Sequence, residues 1–522
     1  MADAPGEELR TDVLVVGAGP SGLMLATCLA RLGVDAIIVD GKDGPTRESR
    51  ALGVQARSME LYDQLGLLDR VLADRSPATG IVPGAGRRAF GRVEFRGIGK
   101  GISPFTEITV FEQSRNERLL VNTLAESGRD VRWRHRLERL EVVDATDAAT
   151  ASVIATLAGP DGSVSVRARY CVGADGSHSA VRESLDIPFE GVTNAYTFYI
   201  VDAADVSGLA DGSINMRFTE HHFLLAFPMG GGRMRLLGVV RDADLDDAGQ
   251  LPEPNVRALL QREFGVGYAD ASWFTTYRVH HRLAARFRDG PCFIVGDAAH
   301  IHSPVGAQGM NTGLQEAHNL ACALADVIVR GMPDRRLDRY EAERRPVGRT
   351  LVATTDRLFG QVTSESRFAR FVRGSALPRL GPVVVRMLPR LLGGRIFGYV
   401  SQTRIHYRMA PPDASPSAPG RDGRRDRRRD RVVGRRLQWT GSNYDVLRSM
   451  TWQVHGYGVY EPEVRAIAGS LGLEGHAFPP DPYGRLDPSL VYLVRPDGFV
   501  AAAASARAVP GGPPAFREQL AG

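Results

Sequence analysis

Glycine turns occur at three places in this sequence, each time directly after an apolar run, and two of the three contain a carboxylate. Residues 17–22 read GAGPSG, residues 173–176 read GADG, and residues 296–297 read GD. Glycine lets a backbone approach a bound phosphate closely, and a carboxylate accepts hydrogen bonds from sugar hydroxyls. One such turn after a strand is an ordinary β-turn, but three of them favour the binding of a phosphate-containing nucleotide.

The first of these places has every part of a dinucleotide-binding unit. A strand, a turn with Gly17, Gly19 and Gly22, a helix, and a second strand ending at Asp40 follow in order. Gly17 permits the tight turn, Gly19 lets a pyrophosphate approach, and Gly22 lets the helix pack against the strand. Ser21 lies at the helix N-terminus, where anions bind, and Asp40 is placed to accept from ribose hydroxyls. The unit by itself does not separate NAD from FAD.

The composition is that of an ordinary globular protein. The 522 residues include 65 Lys and Arg against 60 Asp and Glu, and only two of the 65 are lysine, a skew typical of GC-rich bacterial genomes. The four cysteines are far apart and form no CxxC, which favours a reduced, cytoplasmic protein. The N-terminal residues are polar and acidic, unlike a signal peptide, and no apolar stretch reaches the roughly 18 residues of a membrane span.

Two segments have unusual patterns. Residues 376–394, ALPRLGPVVVRMLPRLLGG, predict an amphipathic helix that we expect to pack against the core, with a substrate cavity or a membrane surface as the alternatives. Residues 411–436 are rich in proline and then arginine, which predicts a solvated, mobile linker. A nucleic-acid site is the alternative for the linker, but the segment has no aromatic residues for base stacking, so no nucleic-acid partner is expected.

The three turns together resemble the GxGxxG, DG and GD fingerprints of the class A flavoprotein monooxygenases, the family of para-hydroxybenzoate hydroxylase and the aromatic polyketide hydroxylases. The resemblance is close over residues 11–185 and 275–360, and the VRPDGFV tail resembles a thioredoxin-like domain of that family. It implies an α/β fold with a Rossmann-like FAD-binding domain, an inserted antiparallel-sheet substrate domain and a C-terminal thioredoxin-like domain. The expected boundaries are 1–185 and 276–410 for the FAD-binding domain with its helical connection, 186–275 for the substrate domain, 411–436 for the linker, and 437–522 for the C-terminal domain.

The resemblance also implies roles for residues near the third turn. Asp297 matches the aspartate that binds the ribityl chain of FAD. Gly309, Met310 and Asn311 match residues that contact the isoalloxazine ring near its N1–O2 edge, where N–H groups at the start of the next helix would stabilise the reduced, anionic flavin. His300 and His302 form an HxH pair, but no third ligand has suitable spacing, so no metal is predicted.

Four further residues are implied in the same way. Arg50 matches the arginine that reaches the FAD pyrophosphate, and Gln113 matches the glutamine that binds the flavin side chain. Asp175 matches the aspartate that serves the FAD phosphates. Pro304 matches a proline whose backbone carbonyl lies near the substrate hydroxyl.

The implied activity is that of an FAD-dependent monooxygenase that uses NADPH or NADH and O2 to hydroxylate an aromatic compound through a C4a-hydroperoxyflavin. Gly41 stands where the benzoate enzyme has an NADPH-binding arginine, so the choice of nicotinamide cofactor stays open. Epoxidation, Baeyer–Villiger oxidation and a noncatalytic FAD-fold binding protein are the alternatives. The C-terminal domain has no cysteine, so it is expected to be structural or a dimer surface.

The predicted substrate is a polycyclic, polyketide-type aromatic molecule. No arginine or tyrosine cluster for holding a small phenol acid is recognisable within residues 186–275. The aromatic residues of that stretch suit a broad, flat, uncharged ring system, although about half of them are expected to pack the sheet: Tyr196, Phe198, Tyr199, Phe218, Phe223 and Phe227.

Overall fold

A computed structural model describes residues 8–49, 51–95, 98–143, 151–240, 245–246, 250–302, 308–364, 366–407, 409, 432–507 and 511–521. Its α-helices are α1 (Pro20–Arg31), α2 (Ala56–Gln64), α3 (Leu68–Asp74), α4 (Gln113–Glu126), α5 (Ala180–Ser184), α6 (Glu253–Phe264), α7 (Gly309–Ile328), α8 (Asp338–Thr363), α9 (Arg367–Phe371), α10 (Leu377–Val400), α11 (Glu461–Gly469) and α12 (Pro514–Ala521).

The strands of the first half are β1 (Leu9–Val16), β2 (Ala36–Asp40), β3 (Gly53–Val54), β4 (Ser76–Ala78), β5 (Gly80–Ala85), β6 (Arg88–Ala89), β7 (Val93–Glu94), β8 (Ile108–Val110), β9 (Val131–Trp133), β10 (Arg136–Val143), β11 (Ser152–Gly159) and β12 (Gly162–Gly173). Those of the second half are β13 (Phe189–Ala204), β14 (Ile214–Phe218), β15 (Phe223–Gly230), β16 (Arg233–Val240), β17 (Asp270–Ala284), β18 (Arg288–Asp289), β19 (Cys292–Ile294), β20 (His300–Ile301), β21 (Gln453–Tyr457), β22 (Glu474–Phe478), β23 (Leu490–Val494) and β24 (Val500–Ser505).

The first sheet contains the predicted nucleotide-binding unit. Its strand order is β10-β11-β12-β1-β2-β9, with β19 also paired to β12 and β18 to β19. Strand β1 runs parallel to β2 and β12, and β19 runs parallel to β12. The carboxyl ends of these strands therefore meet at one edge, which is where ligands bind in such sheets. The three glycine turns of the sequence all lie at this edge.

The second sheet is antiparallel over most of its width, as the family resemblance implied. Its order is β20-β17-β13-β16-β15-β14-β5-β6, with β7 also paired to β5. The sheet is wider than the expected substrate domain of residues 186–275, because it takes β5, β6 and β7 from residues 80–94 and extends β17 to Ala284.

Strand alternation gives this sheet two different faces. Phe198 and Ile200 pack in a cluster with Leu52 and Val110, which belong to the chain around the nucleotide site, so this is the inner face. Tyr199 points the other way and packs in the outer cluster, against helix α6. Tyr199 is therefore among the aromatic residues that pack the sheet, whereas its neighbours Phe198 and Ile200 lie on the inner face.

Helices α9 and α10 follow the long helix α8. The sequence predicted a helix over residues 376–394, and α10 is that helix, but the expected burial of its apolar face is wrong. Val383, Val384 and Met387 are all exposed, because no described element covers the outward side of α10. Among the described residues, no helix combines the length and hydropathy needed to cross a membrane.

The C-terminal unit, residues 432–521, is built on a four-stranded sheet of order β22-β21-β23-β24. Strands β23 and β24 form a hairpin around Asp497 and Gly498, and helix α11 precedes β22. The predicted linker lies outside the described residues from 411 to 431. Its last residues are packed instead of solvated: Arg436 is buried and donates to Glu60 Oε1 at 2.8 Å.

Candidate flavin site

The three glycines of the first turn meet three different steric demands. Gly17 has φ +107°, and a Cβ there would lie 2.3 Å from the carbonyl oxygen of Ala174. A Cβ on Gly22 would lie 1.9 Å from the carbonyl oxygen of Gly17, so only glycine lets α1 pack against the turn. A Cβ on Gly19 would meet nothing within 4 Å. The space beside Gly19 is therefore open, and this is the place where a bound phosphate would lie.

Ser21 packs between the first glycine turn and the third. It is in the first turn of α1, as predicted for a phosphate donor. A Cβ added at Gly296 or at Gly313 would come within 2.5 Å or 2.2 Å of Ser21 Oγ. The hydroxyl is therefore held between α1, the Gly296 turn and helix α7.

Asp40 organises the first turn at the end of β2. Its Oδ2 accepts from the backbone N–H of Ala18 at 2.6 Å, and its Oδ1 accepts from the N–H of Lys42 at 2.8 Å. A carboxylate has about four lone-pair sites, so these two bonds leave acceptor capacity for a ribose hydroxyl.

Asp175 lies beside the same turn, following β12. Its carboxyl is buried, and burial raises its pKa above the ordinary value despite hydrogen bonds that act in the opposite direction. Oδ2 accepts from the N–H of Val181 at 3.2 Å, whereas buried Oδ1 has no hydrogen-bond donor in the described part of the chain. A buried acceptor without a donor is uncommon in native proteins, and a hydroxyl of a bound nucleotide would satisfy it.

Glu316, on α7, forms hydrogen bonds to the third turn. The sequence analysis did not identify this residue. The N–H of Gly296, which has φ +62°, donates to Glu316 Oε2 at 2.9 Å, and His300 Nε2 lies 2.9 Å from Glu316 Oε1. Asp297, between them, is exposed at the sheet edge. The pattern GDAAH followed by LQEAHNL is the signal that could have indicated this pair, since Glu316 falls on the helix that follows the loop.

The His300–Glu316 pair is completely buried and mutually stabilised. Burial alone would lower the pKa of His300, but the carboxylate of Glu316 outweighs it and raises the pKa above the usual value. Burial would raise the pKa of Glu316, but His300 and then Arg344 hold it below the usual value. Arg344 also donates to the carbonyl of Thr312 at 3.2 Å, which connects the pair to the first turns of α7.

The start of α7 was predicted to face the flavin ring, and the side chain of Asn311 is used inside the protein. Its Nδ2 donates to the carbonyl of Gly53 at 2.7 Å, and its Oδ1 accepts from the N–H of Gln55 at 2.9 Å. Met310 packs against the core of the first sheet, and Gly309 begins the helix. The groups of this turn best placed to face a ligand are therefore backbone N–H groups.

Gln113 is the first residue of α4 and contacts the segment before α2. Its Nε2 donates to buried Glu117 at 2.9 Å, and its Oε1 accepts from the N–H of Ala51 at 3.3 Å. This arrangement holds the segment before α2. Arg50 and Pro304, the other two predicted site residues, lie outside the described residues.

The inner face of the second sheet is largely apolar in its described residues, and its charged side chains are paired: Arg233 pairs with Glu112 at 3.0 Å and Arg235 pairs with Asp202. Arg235, on β16, forms two hydrogen bonds of 2.6 Å to Asp202 on β13, and its guanidinium stacks 4.9 Å from the centre of the Trp273 ring. It also donates to the carbonyl of Ser49. The sequence reasoning did not identify Arg235, and the structure shows that its charge is already neutralised within the sheet.

Comparison with known proteins agrees with this geometry. Residues 10–355 match the family described as FAD binding domain. The chain is 33% identical over 414 residues to the 6-methylpretetramide 4-monooxygenase of Streptomyces rimosus, covering 78% of this chain and 72% of that one. It is 35% identical over 357 residues to the rifampicin monooxygenase of Rhodococcus hoagii, covering 66% and 70%. Its fold is similar to the anhydrotetracycline hydroxylase of Streptomyces rimosus with a TM-score of 0.73, at 28% identity and with 95% and 96% of the two chains covered.

Proposed function

This chain belongs to the class A flavoprotein aromatic hydroxylase family and is an FAD-dependent monooxygenase, and from this premise we propose that it uses NADH or NADPH with O2 to hydroxylate an uncharged, polycyclic aromatic molecule of polyketide type. The observation that carries the choice of substrate is the inner face of the second sheet. That face is largely apolar and aromatic, and the buried Arg235 is paired with Asp202.

The proposed FAD site follows the edge of the first sheet. The pyrophosphate would lie beside Gly19 at the N-terminus of α1, where free N–H groups favour an anion. The buried, donorless Oδ1 of Asp175 and the exposed carboxylate of Asp297 would accept from hydroxyl groups of the cofactor. Bound FAD supplies electron transfer from the nicotinamide cofactor and the activation of O2.

The other predicted site residues would contribute through position more than through direct chemistry. Gly17, Gly22, Ser21 and Asp40 shape the turn, and Gln113 fixes the segment before α2. The backbone N–H groups of Gly309, Met310 and Asn311 begin a 20-residue helix whose positive end would stabilise negative charge on the ring. Arg50 and Pro304 keep the pyrophosphate and substrate roles that the family resemblance implies.

The proposed substrate fits the chemistry of the inner face. Phe198 and Tyr277 are stacked there with ring centroids 5.7 Å apart, next to Leu225 and Val239. Aromatic rings favour a flat ring system, and the described arginines of this face, Arg233 and Arg235, are each already paired with a carboxylate. Relatives of this chain are named for their action on 6-methylpretetramide, rifampicin and anhydrotetracycline, which supports a substrate of polyketide type.

We further propose that the C-terminal unit has a thioredoxin-like fold without redox chemistry. All four cysteines precede residue 323 and are buried, and burial raises the pKa of the Cys322 thiol well above its usual value. The unit therefore acts through packing.

The experiment that tests the proposal measures substrate-stimulated oxidation of NADH and NADPH by the purified FAD-loaded protein against a panel of phenol acids, anthraquinones and naphthacenequinones. We expect stimulation by the uncharged polycyclic compounds and a product that gains one oxygen atom from isotopically labelled O2. Stimulation by phenol acids alone would exclude the proposed substrate class. Incorporation of label from water instead of O2 would exclude the monooxygenase reaction.

A further inference from the structure

We propose that the segment from Arg367 to Met387, which contains α9 and the first half of α10, docks this enzyme on the surface of an anionic lipid bilayer. The helices would lie in the plane of the headgroups without crossing the membrane. The activity proposed above does not require this surface.

The first observation is a concentration of exposed apolar side chains. Twelve large apolar side chains of the described residues are exposed, and six of them lie between residues 368 and 387, which is far denser than the rest of the surface. Phe368 is 77% exposed and Leu380 is 60% exposed. Scattered single apolar residues need no explanation, but a cluster of this kind marks an interaction surface.

The second observation is that four of the six share one side of α10. Leu380, Val383, Val384 and Met387 have the spacing i, i+3, i+4 and i+7, which makes one stripe on a helix. The opposite side of α10 is in contact with the protein body: a Cβ at Gly381 would come within 2.4 Å of the Phe90 ring. The exposed stripe therefore faces away from the molecule.

The third observation is the charge around the stripe. From Ser366 to Val400 the sequence has seven arginines and no aspartate or glutamate. Arg367, Arg379 and Arg386 are exposed, and none pairs with a carboxylate in the part of the chain that the structure describes. Arg373, by contrast, is buried and donates to the backbone carbonyls of Glu220 and Ser364, which fixes the segment to the body.

These features select an anionic bilayer over a second copy of this chain. In a two-fold dimer each copy would present the same patch, so arginines would face arginines with no carboxylate between them. An interfacial helix buries its apolar stripe below the headgroups while flanking arginines contact lipid phosphates, and the patch supplies both parts. The stripe is too short and too interrupted by arginine to enter the bilayer further.

The test is co-flotation of the full-length, FAD-loaded protein with vesicles of phosphatidylcholine alone or mixed equally with phosphatidylglycerol. We expect binding to the anionic vesicles at least tenfold tighter than to the neutral ones. The double variant Val384→Ser, Met387→Ser should bind the anionic vesicles at least tenfold more weakly than wild type. The double variant Val142→Ser, Val329→Ser, which changes exposed apolar residues elsewhere, should bind like wild type.

A second set of variants distinguishes the effect of the arginines at this patch from the effect of the protein's net charge. Arg379→Ser with Arg386→Ser should weaken binding by roughly fivefold for each arginine, whereas Arg10→Ser with Arg139→Ser removes the same net charge elsewhere and should leave it unchanged. Flavin content and melting temperature verify that each variant is folded. Wild-type protein that floats with neither vesicle overturns the proposal, as does equal weakening by patch and control variants. A dimer in light scattering that Val384→Ser, Met387→Ser abolishes, without vesicle binding by wild type, assigns the patch to a second copy.

Discussion

Asp297 is the residue whose proposed contact with FAD is easiest to isolate, because its side chain is exposed and the turn around it is held by other groups. The Gly296 N–H is bound by Glu316, so removing the Asp297 carboxylate leaves that hydrogen bond in place. A hydrogen bond to a charged group such as a carboxylate contributes about 1.5–3 kcal/mol net.

We therefore expect Asp297→Ala to raise the dissociation constant of FAD roughly 12- to 150-fold for each hydrogen bond lost, with little change in the melting temperature of the apoprotein. Fluorescence titration of apoprotein with FAD measures this. Asp161→Ala, in the exposed turn between β11 and β12, is the matched control. Equal affinities in the two variants would contradict the assignment.

The buried pair beneath that turn predicts a pH dependence. The raised pKa of His300 means that its stabilising contribution is present below the unfolded value, near pH 6.5, and is lost as the pH rises through the folded pKa. The lowered pKa of Glu316 means that its contribution is present above about pH 4.3 and is lost as the pH falls through the folded pKa. The pair should therefore stabilise the protein most around pH 6.

We expect the melting-temperature difference between wild type and Glu316→Gln to be largest near about pH 6 and to shrink as His300 loses its proton at higher pH. Thermal unfolding of the FAD-loaded proteins from pH 5 to pH 9 measures it. Glu141→Gln, which disrupts the exposed pair with Arg139, should show no such trend. A difference that is constant across this range would mean that the pair does not titrate as proposed.

Among the elements, those specified by local sequence could be predicted. The β1–α1–β2 unit depends on three glycines with separate local demands, and the β23–β24 hairpin depends on an Asp-Gly turn between apolar strands. The β1–α1–β2 unit is present where the sequence analysis placed it. Elements whose environment depends on a distant segment could not be predicted in the same way.

Helices α2 and α10 illustrate that limit. Helix α2 has charged residues that indicate an exposed surface, yet Arg57 and Glu60 are buried because their partners come from the C-terminal unit, more than 370 residues away in sequence. Helix α10 has the apolar periodicity of a packed helix, yet its stripe is exposed because no element covers it. Periodicity indicates which side of a helix is apolar and does not indicate what lies against it.

The packing of α1 on its turn predicts two different outcomes for two similar substitutions. In Gly22→Ala the new methyl group would overlap the Gly17 carbonyl, so we expect a lower melting temperature and loss of FAD together. In Gly19→Ala the methyl group meets no atom of the protein, so we expect a folded protein with weaker FAD binding because the phosphate is excluded. Melting temperature of the apoproteins and FAD titration distinguish the two. Normal FAD affinity in Gly19→Ala would place the pyrophosphate elsewhere.

For the whole molecule, the C-terminal unit is joined to the FAD-binding part by buried charges. Arg436 pairs with Glu60 at 2.8 Å, and Arg495 pairs with Glu343 on α8 at 2.5 Å. The same turn places Asp497 Oδ2 3.1 Å from Asn319 Nδ2 on α7. Removing one partner of such a pair leaves a buried charge without compensation, which costs more than the pair itself contributes.

The last prediction compares two ion pairs across this interface. Arg495→Ala leaves buried Glu343 and Asp497 facing each other, so we expect a loss of about 3–5 kcal/mol in the free energy of unfolding. Arg448→Ser breaks a pair with Asp63 whose arginine is 51% exposed, so we expect a loss of at most about 1 kcal/mol. Urea unfolding, followed by flavin fluorescence and by circular dichroism, measures both. Deleting residues 432–522 should give insoluble protein, because Asp63 and Glu343 would lose their cations, Glu60 would keep only Arg57, and apolar surface would be exposed. Equal stability of the two variants, or a soluble truncated protein that retains FAD, would show that the C-terminal unit is an appendage and that the flavin site is stable without it.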